Sequence, residues 1–351
     1  MKGTSLLIVS SGIAFLFNML FIPLLISIAH RFNWYDDIDK RKIHTGNIPR
    51  IGGVGIFVSF SVGITIFFVF SPDLFLNSLP LLGGFIIITA LGLIDDFSSL
   101  RPRYKLIFQF TAAILVVSGG FHLETLLIPF SETEINLGPL SWVISILWMV
   151  GMCNAINLVD GLDGLAGGIV SIASFFTGIM AVYQRDTATA LFSLVLFGST
   201  ISFLVYNLPP AKLFMGDSGS LFIGFTIAVL PLIKYGYRMQ HNSLFFPVLT
   251  MTLIPVFDTL AAILRRVRRK KPIHFPDKDH IHHKLLFFGF SNVKILIVTY
   301  SICILAGFAS LFRTVATGVL SLVLIIAVWV VCIFLFILLD RLYRRKYPKT
   351  S

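Results

Sequence analysis

Five aspartates stand at the ends of apolar runs in a chain that otherwise avoids charge. They are Asp95 and Asp96 in "IIITALGLIDD", Asp160 and Asp163 in "NAINLVDGLDGLAGG", and Asp217 in "FMGDSGS". An ionisable group at a membrane edge costs free energy unless it is paired or used. On the plainest reading Asp95 and Asp96 are helix-end carboxylates paired with Arg101 or Lys105, and Asp217 is an N-cap with Ser218 and Ser220 nearby. Gathered at one place, the same groups make a site for a hard cation. Mg²⁺ takes one or two protein carboxylates and leaves its other positions to water and substrate phosphates. If the second segment is helical, a spacing of three puts Asp160 and Asp163 on one face, and Asn154 and Asn157 continue the stripe. Gly161 and Gly164 let a ligand or a backbone come close. A helix beginning near Asp217 would also favour phosphate.

The cations concentrate in one loop, "RRVRRKKPIHFPDKDHIHHK", which holds Arg265, Arg266, Arg268, Arg269, Lys270, Lys271, Lys278 and Lys284. Membrane topology and attraction to anionic lipid account for the "RRVRRKK" run. They do not account for His280, His282 and His283, whose rings are versatile donors to phosphate and sugar hydroxyls. No cysteine accompanies these histidines, so an anionic ligand fits them better than zinc. Carboxylates, Mg²⁺ and a basic loop together indicate phosphoryl chemistry on a di- or triphosphate. Membrane burial makes the other substrate a lipid.

The elements that must position these groups are membrane helices. Of 351 residues, 56% are hydrophobic and 13% charged, which excludes an ordinary soluble domain. Apolar runs recur along the chain and predict an all-α polytopic membrane protein of about eleven transmembrane helices with a cytoplasmic-face active site. The expected cores are 5–29, 51–71, 75–94, 106–120, 139–156, 165–183, 187–206, 219–233, 244–264, 293–311 and 316–339. The whole chain, 1–351, reads as one integral membrane domain, with a cytoplasmic basic and histidine loop at 265–292 and a basic tail at 340–351. The net charge of +11 sits mostly in alternate loops and the tail, which makes those segments cytoplasmic and gives no reason to expect nucleic acid. An odd number of crossings puts the N-terminus outside and the C-terminus inside. Cys153, Cys303 and Cys332 lie in or beside apolar runs and read as small hydrophobic residues. A transporter is the rival class, but it should carry ionisable groups near mid-span and internal symmetry. Asp258 in "LIPVFDTLAAIL" comes nearest to that, and reads better as a partner of a neighbouring helix or as support for the site.

Four motifs, in order, are "GLIDDFSSLRPRYKLIFQ", "NAINLVDGLDGLAGG", "YNLPPAKLFMGDSGSLFIGF" and "DHIHHKLLFFGFS". Together they resemble the polyprenyl-phosphate N-acetylhexosamine-1-phosphate transferases, a superfamily that includes the MraY and WecA/TagO enzymes. The resemblance implies that a phosphate oxygen of undecaprenyl phosphate attacks the β-phosphorus of a UDP-N-acetylhexosamine and that UMP leaves. It implies a Mg²⁺ cofactor, with Mn²⁺ able to substitute, and a setting in the bacterial inner membrane. A homodimer is compatible with it. It assigns Asp217 to the metal and Asp95, Asp96 and Asp160 to the catalytic centre. Asn154, Asn157, Asp163, Asn207 and Phe214 go to the nucleotide sugar, Phe214 as a uracil-stacking ring, and Lys42, His44 and Lys105 to phosphate. "RKIHTGNIPRIGG" and "DHIHH" depart from the MraY forms of these segments and resemble the WecA/TagO branch, whose usual sugar is N-acetylglucosamine. An MraY-like transfer of phospho-N-acetylmuramoyl-pentapeptide is the alternative within the superfamily.

Overall fold

The computed structural model describes residues 2–35, 48–127, 134–233, 244–270, 272, 279–316 and 318–346. Among them are fourteen α-helices: α1 Lys2–Phe32, α2 Gly52–Val69, α3 Pro72–Asn77, α4 Leu79–Ser98, α5 Pro102–Ser118, α6 Leu140–Val159, α7 Leu165–Tyr183, α8 Thr187–Asn207, α9 Gly216–Val229, α10 Phe245–Met251, α11 Leu253–Arg268, α12 Ile281–Phe287, α13 Asn292–Val315 and α14 Val319–Lys346. A small antiparallel hairpin, β1 Thr125–Leu127 with β2 Glu134–Asn136, joins α5 to α6. It is a departure from the all-helical expectation. Its register pairs Leu126 with Ile135.

Eight of these helices are long and apolar enough to cross a membrane, and nine crossings result if the bent pair α10–α11 is one span. The protein is therefore an all-α polytopic membrane protein. The remaining expected spans fall on shorter helices. The one at 106–120 falls on α5, which is 17 residues long. The one at 219–233 falls on α9, 14 residues long and extended by a 3₁₀ turn at Leu230–Leu232. The span expected at 244–264 is bent by 76° at Thr252. Pro255 explains the break, because it has no N–H to give to the carbonyl of Met251.

Helices α7 and α8 lie at the centre, each 78% buried over its apolar window, whereas α14 is only 11% buried and turns its side chains outward. With no water to drive helix association inside a bilayer, close packing must do it. Phe60, Phe85, Phe192, Phe222 and Phe225 meet mostly edge to face and join α2, α4, α8 and α9. Glycines admit α9 between its neighbours. A Cβ on Gly53 of α2 would fall on the backbone of Gly219, and one on Gly92 of α4 would fall on the backbone of Ser218. That close approach brings the start of α9 to the end of α4.

Candidate active site

The chain reverses at each helix end so that the N-termini of α2, α5, α7 and α9 meet the C-termini of α4, α6 and α8. The contacts are between named groups. Asp96, at the end of α4, turns both carboxylate oxygens to the start of α9 and accepts from the N–H of Asp217 at 2.7 Å and of Ser218 at 3.0 Å. It satisfies two of the orphan donors of that helix from a different element. Asp217 is therefore not the N-cap of α9, and the anion position at this helix start is filled by Asp96 and not left to a phosphate.

Freed from capping, Asp217 presents its carboxylate to two cations. Arg50 Nη2 lies 2.8 Å from Oδ1 and Lys105 Nζ 2.8 Å from Oδ2. Lys105 also pairs with Asp95 Oδ2, and the N–H of Leu100 donates to Asp95 Oδ1 at 2.7 Å. Arg50 Nε stands 3.4 Å from Asp96. Arg50 is set by an extended pairing of the chain before α2 with the chain before α9: Phe214 N donates to Pro49 O, Gly52 N to Phe214 O and Gly53 N to Met215 O. The result is an ionic cluster of three carboxylates and two cations, with Asp96 and Asp217 mostly buried and Arg50 half-exposed. Its basic members can meet phosphates and its acidic members are oxygen donors of the kind Mg²⁺ takes. The described residues contain no closed set of three or more metal-ligating side chains. This donor set fits an ion that draws its other ligands from water and substrate, and does not fit a fully caged one.

The second wall is built by α6 and the turn after it. Asn154 and Asn157 lie in the last turns of α6. Asn154 Nδ2 donates to Gln109 Oε1 at 2.7 Å, and Asn157 Nδ2 donates to Ser220 Oγ at 2.8 Å. The helix then stops: Asp160 is its C-cap, and residues 160–164 form a turn. Asp160 and Asp163 thus do not share one continuous helix face with the asparagines. The glycines break the helix, and Gly164 holds φ +80°, a conformation open to residues without a Cβ. Asp163 reaches across to accept from Ala211 N at 3.3 Å. Protein surrounds Asp160 although part of its surface is open, and that desolvation, with Asp217 and Asp96 adding to it against Arg50, holds its carboxyl well above the usual range.

Asn207 is buried, and both ends of its carboxamide are spent on backbone. Oδ1 accepts from Gly164 N and Nδ2 donates to Leu213 O, each at 2.9 Å. It ties the 160–164 turn to the segment before α9, where Phe214 lies half-buried. Tyr300 of α13 holds the same turn from the other side, donating to Gly164 O at 2.6 Å.

The histidines form a third wall. His280 Nδ1 lies 2.9 Å from Asp258 Oδ2, and Ile281 N donates to Asp258 Oδ1 at 3.1 Å. Asp258 of α11 thus pairs with the start of the neighbouring helix α12. His282 stacks parallel to His280 and lies beside His283, with centroids 4.2 Å apart. Its ring abuts the turn: a Cβ on Gly161 would come 2.9 Å from His282 Nε2. Burial, reinforced by the neighbouring histidines, pushes His282 down to about 3, so it is a neutral donor and acceptor at physiological pH.

Of the sequence-derived residues, the structure brings together Asp95, Asp96, Asp217 and Lys105 in one ionic cluster. It also joins the turn at Asp160–Gly164 to Asn207 and to the histidines. Lys42 and His44 lie outside the described residues. Ser220 was noted only as a neighbour of Asp217, and Arg50, Gln109 and Tyr300 were not singled out by the sequence. Arg50 had a usable signal, as a charge separated only by Ile51 from the glycines of α2. Gln109 and Tyr300 carry no local mark.

The fold and site define a polytopic helical membrane protein with an ionic cluster of carboxylates and cations where its helix ends meet. The family model for glycosyl transferase family 4 matches residues 78–234. The chain is 35% identical over 319 residues to the probable undecaprenyl-phosphate N-acetylglucosaminyl 1-phosphate transferase of Bacillus subtilis (strain 168), covering 91% of this chain and 88% of the relative. It is 33% identical over 290 residues to the decaprenyl-phosphate N-acetylglucosaminephosphotransferase of Mycobacterium leprae, covering 74% and 72%. It is 29% identical over 301 residues to the undecaprenyl-phosphate alpha-N-acetylglucosaminyl 1-phosphate transferase of Salmonella typhi, covering 84% and 80%. The chain belongs to glycosyl transferase family 4, on its WecA/TagO-like side.

Proposed function

We propose that this protein transfers N-acetylglucosamine-1-phosphate from UDP-N-acetylglucosamine to undecaprenyl phosphate at the cytoplasmic face of the bacterial inner membrane. A lipid phosphate oxygen forms a bond to the β-phosphorus, the bond from that phosphorus to the bridging oxygen breaks, and UMP leaves with the electron pair. The observation that carries this reading is the partly buried cluster of Asp217 with Arg50, Lys105 and Asp95, in a chain akin over most of its length to enzymes named for this transfer.

The residues divide the work by chemistry. Asp217, with Asp95 beside it, would hold Mg²⁺, which when bound would offset negative charge on the diphosphate. Lys105 and Arg50 neutralise the carboxylates and carry the N–H donors that phosphate oxygens accept. Asp96 has both oxygens committed to α9 and keeps Asp217 in place. The 160–164 turn and the histidine helix orient the nucleotide sugar, so that the β-phosphorus lies in line with the lipid phosphate. Eleven crossings are supported by the alternation of helix ends at the site, with α5, α9 and the α10–α11 pair counted as spans.

The test is an assay of purified protein with undecaprenyl phosphate, Mg²⁺ and a panel of UDP-sugars. The expected products are UMP and undecaprenyl-diphospho-N-acetylglucosamine, identified by mass. Turnover of another UDP-sugar with none of UDP-N-acetylglucosamine would overturn the donor assignment.

A further inference from the structure

The histidine helix α12 is 7 residues long, too short to hold a place by its own helical stability. Asp258 fixes its N-terminal end. Its other end rests on the C-terminal helix α14, more than fifty residues further along the chain. Lys284 of α12 is 2% exposed, and its Nζ lies 2.7 Å from Asp340 Oδ1 of α14. The same ammonium sits 5.9 Å from the ring centre of Phe336 and 5.7 Å from that of Tyr343. Phe287 meets Tyr343 edge to face at 5.2 Å, and Lys346 lies over Phe288 at 5.6 Å. Arg344 Nε takes the second oxygen of Asp340 at 2.7 Å.

This contact is specific in a way an apolar one would not be. A buried ammonium is costly unless paired, and removing its one carboxylate leaves that cost exposed. The pair therefore admits one seating of α12 on α14. Lys284 adjoins His283, and His282 is the residue whose ring abuts Gly161. The family match ends at residue 234, so this contact lies wholly beyond it.

We propose that Asp340 is a positioning residue for the transfer: through Lys284 it locks the histidine helix against the 160–164 turn and so sets the grip on the nucleotide sugar. The inference rests on the reading above that the histidine wall meets that substrate. The C-terminal helix, otherwise the most outlying of the bundle, thereby becomes part of the catalytic assembly.

Full-length Asp340→Asn keeps the shape and removes the charge. The apparent KM for UDP-N-acetylglucosamine should rise roughly tenfold, a modest share of what breaking a buried pair costs. The KM for undecaprenyl phosphate should stay within about twofold, and amide hydrogen exchange over 281–287 should quicken. Asp340→Glu, which retains the charge, should recover most of the sugar KM. A lowered melting temperature with both KM values unmoved would reduce Asp340 to a structural role and overturn the proposal, as would unchanged exchange over 281–287. A wild-type protein inactive with this donor would instead sink the donor assignment, while the exchange measurement would still decide whether Asp340 holds α12.

Discussion

At the scale of single residues, the ionic cluster makes the sharpest demand on Asp217. Its two oxygens each meet a cation, so Asp217→Asn keeps the shape and removes the charge that Arg50 and Lys105 address and that the proposed Mg²⁺ would require. Turnover should fall by about two or more orders of magnitude, as when a principal electrostatic stabiliser is lost, with the fold retained by gel filtration. Full turnover in a stable Asp217→Asn protein would take Asp217 out of the site. His282 makes a different prediction. Burial holds it down to about 3 in the folded protein, against about 6.5 in an unfolded chain. The unfolded state therefore binds the extra proton first, and stability is lost as pH falls from about 6.5 toward 3. Between pH 7 and pH 5 the melting temperature of wild type should drop further than that of His282→Gln, and equal drops would place the proton elsewhere. Both residues were legible in the sequence because charge and imidazole are rare in an apolar chain. Gln109 and Tyr300 were not, because an amide or a phenol within a helix becomes informative only when its distant partner, Asn154 or Gly164, is known.

At the scale of elements, what the sequence hid was where helices stop. The three-residue spacing from Asn154 to Asp163 reads as one helix face, yet α6 ends at Val159 and the glycines open a turn. Period alone cannot reveal this, since a turn rich in glycine and aspartate keeps the same spacing. The bend within the span expected at 244–264 was hidden for a related reason, because Pro255 lies in an otherwise continuous apolar run. The turn's purpose is visible in its contacts: Asn207 and Tyr300 hold Gly164, and His282 abuts Gly161. Gly161→Ala would put a Cβ 2.9 Å from His282 Nε2, tighter than ordinary contact, so the two walls must part by a few tenths of an ångström. A displacement of that size should raise the KM for UDP-N-acetylglucosamine by about tenfold or less. No change in KM would mean that the histidine helix adjusts freely to the turn.

At the scale of the whole molecule, function depends on an alternation. Helices α4, α6 and α8 arrive at the site by their C-termini, while α2, α5, α7 and α9 leave it by their N-termini. The β1–β2 hairpin, joining the far ends of α5 and α6, must then lie on the opposite face. The same logic runs α11 toward the site end, with Asp258 in its first half meeting His280, and brings α14 there by its C-terminus, where Asp340 meets Lys284. The basic side chains of 101–105, 265–270 and 341–346 fall at the site end, which the positive-inside rule assigns to the cytoplasm. Exposed positions at the two ends provide the test. Arg103→Cys and Lys270→Cys stand at the site end, and Ile135→Cys on the hairpin stands at the other. The native Cys153, Cys303 and Cys332 are buried and should give little background. A membrane-impermeant maleimide added to intact cells should label Ile135→Cys alone, and the other two only after permeabilisation. The decisive position is Lys270, because it follows the bent pair α10–α11. If it labels together with Ile135, that pair does not cross as one span, the parity of the chain changes, and the histidine wall loses its place on the face where the carboxylates lie.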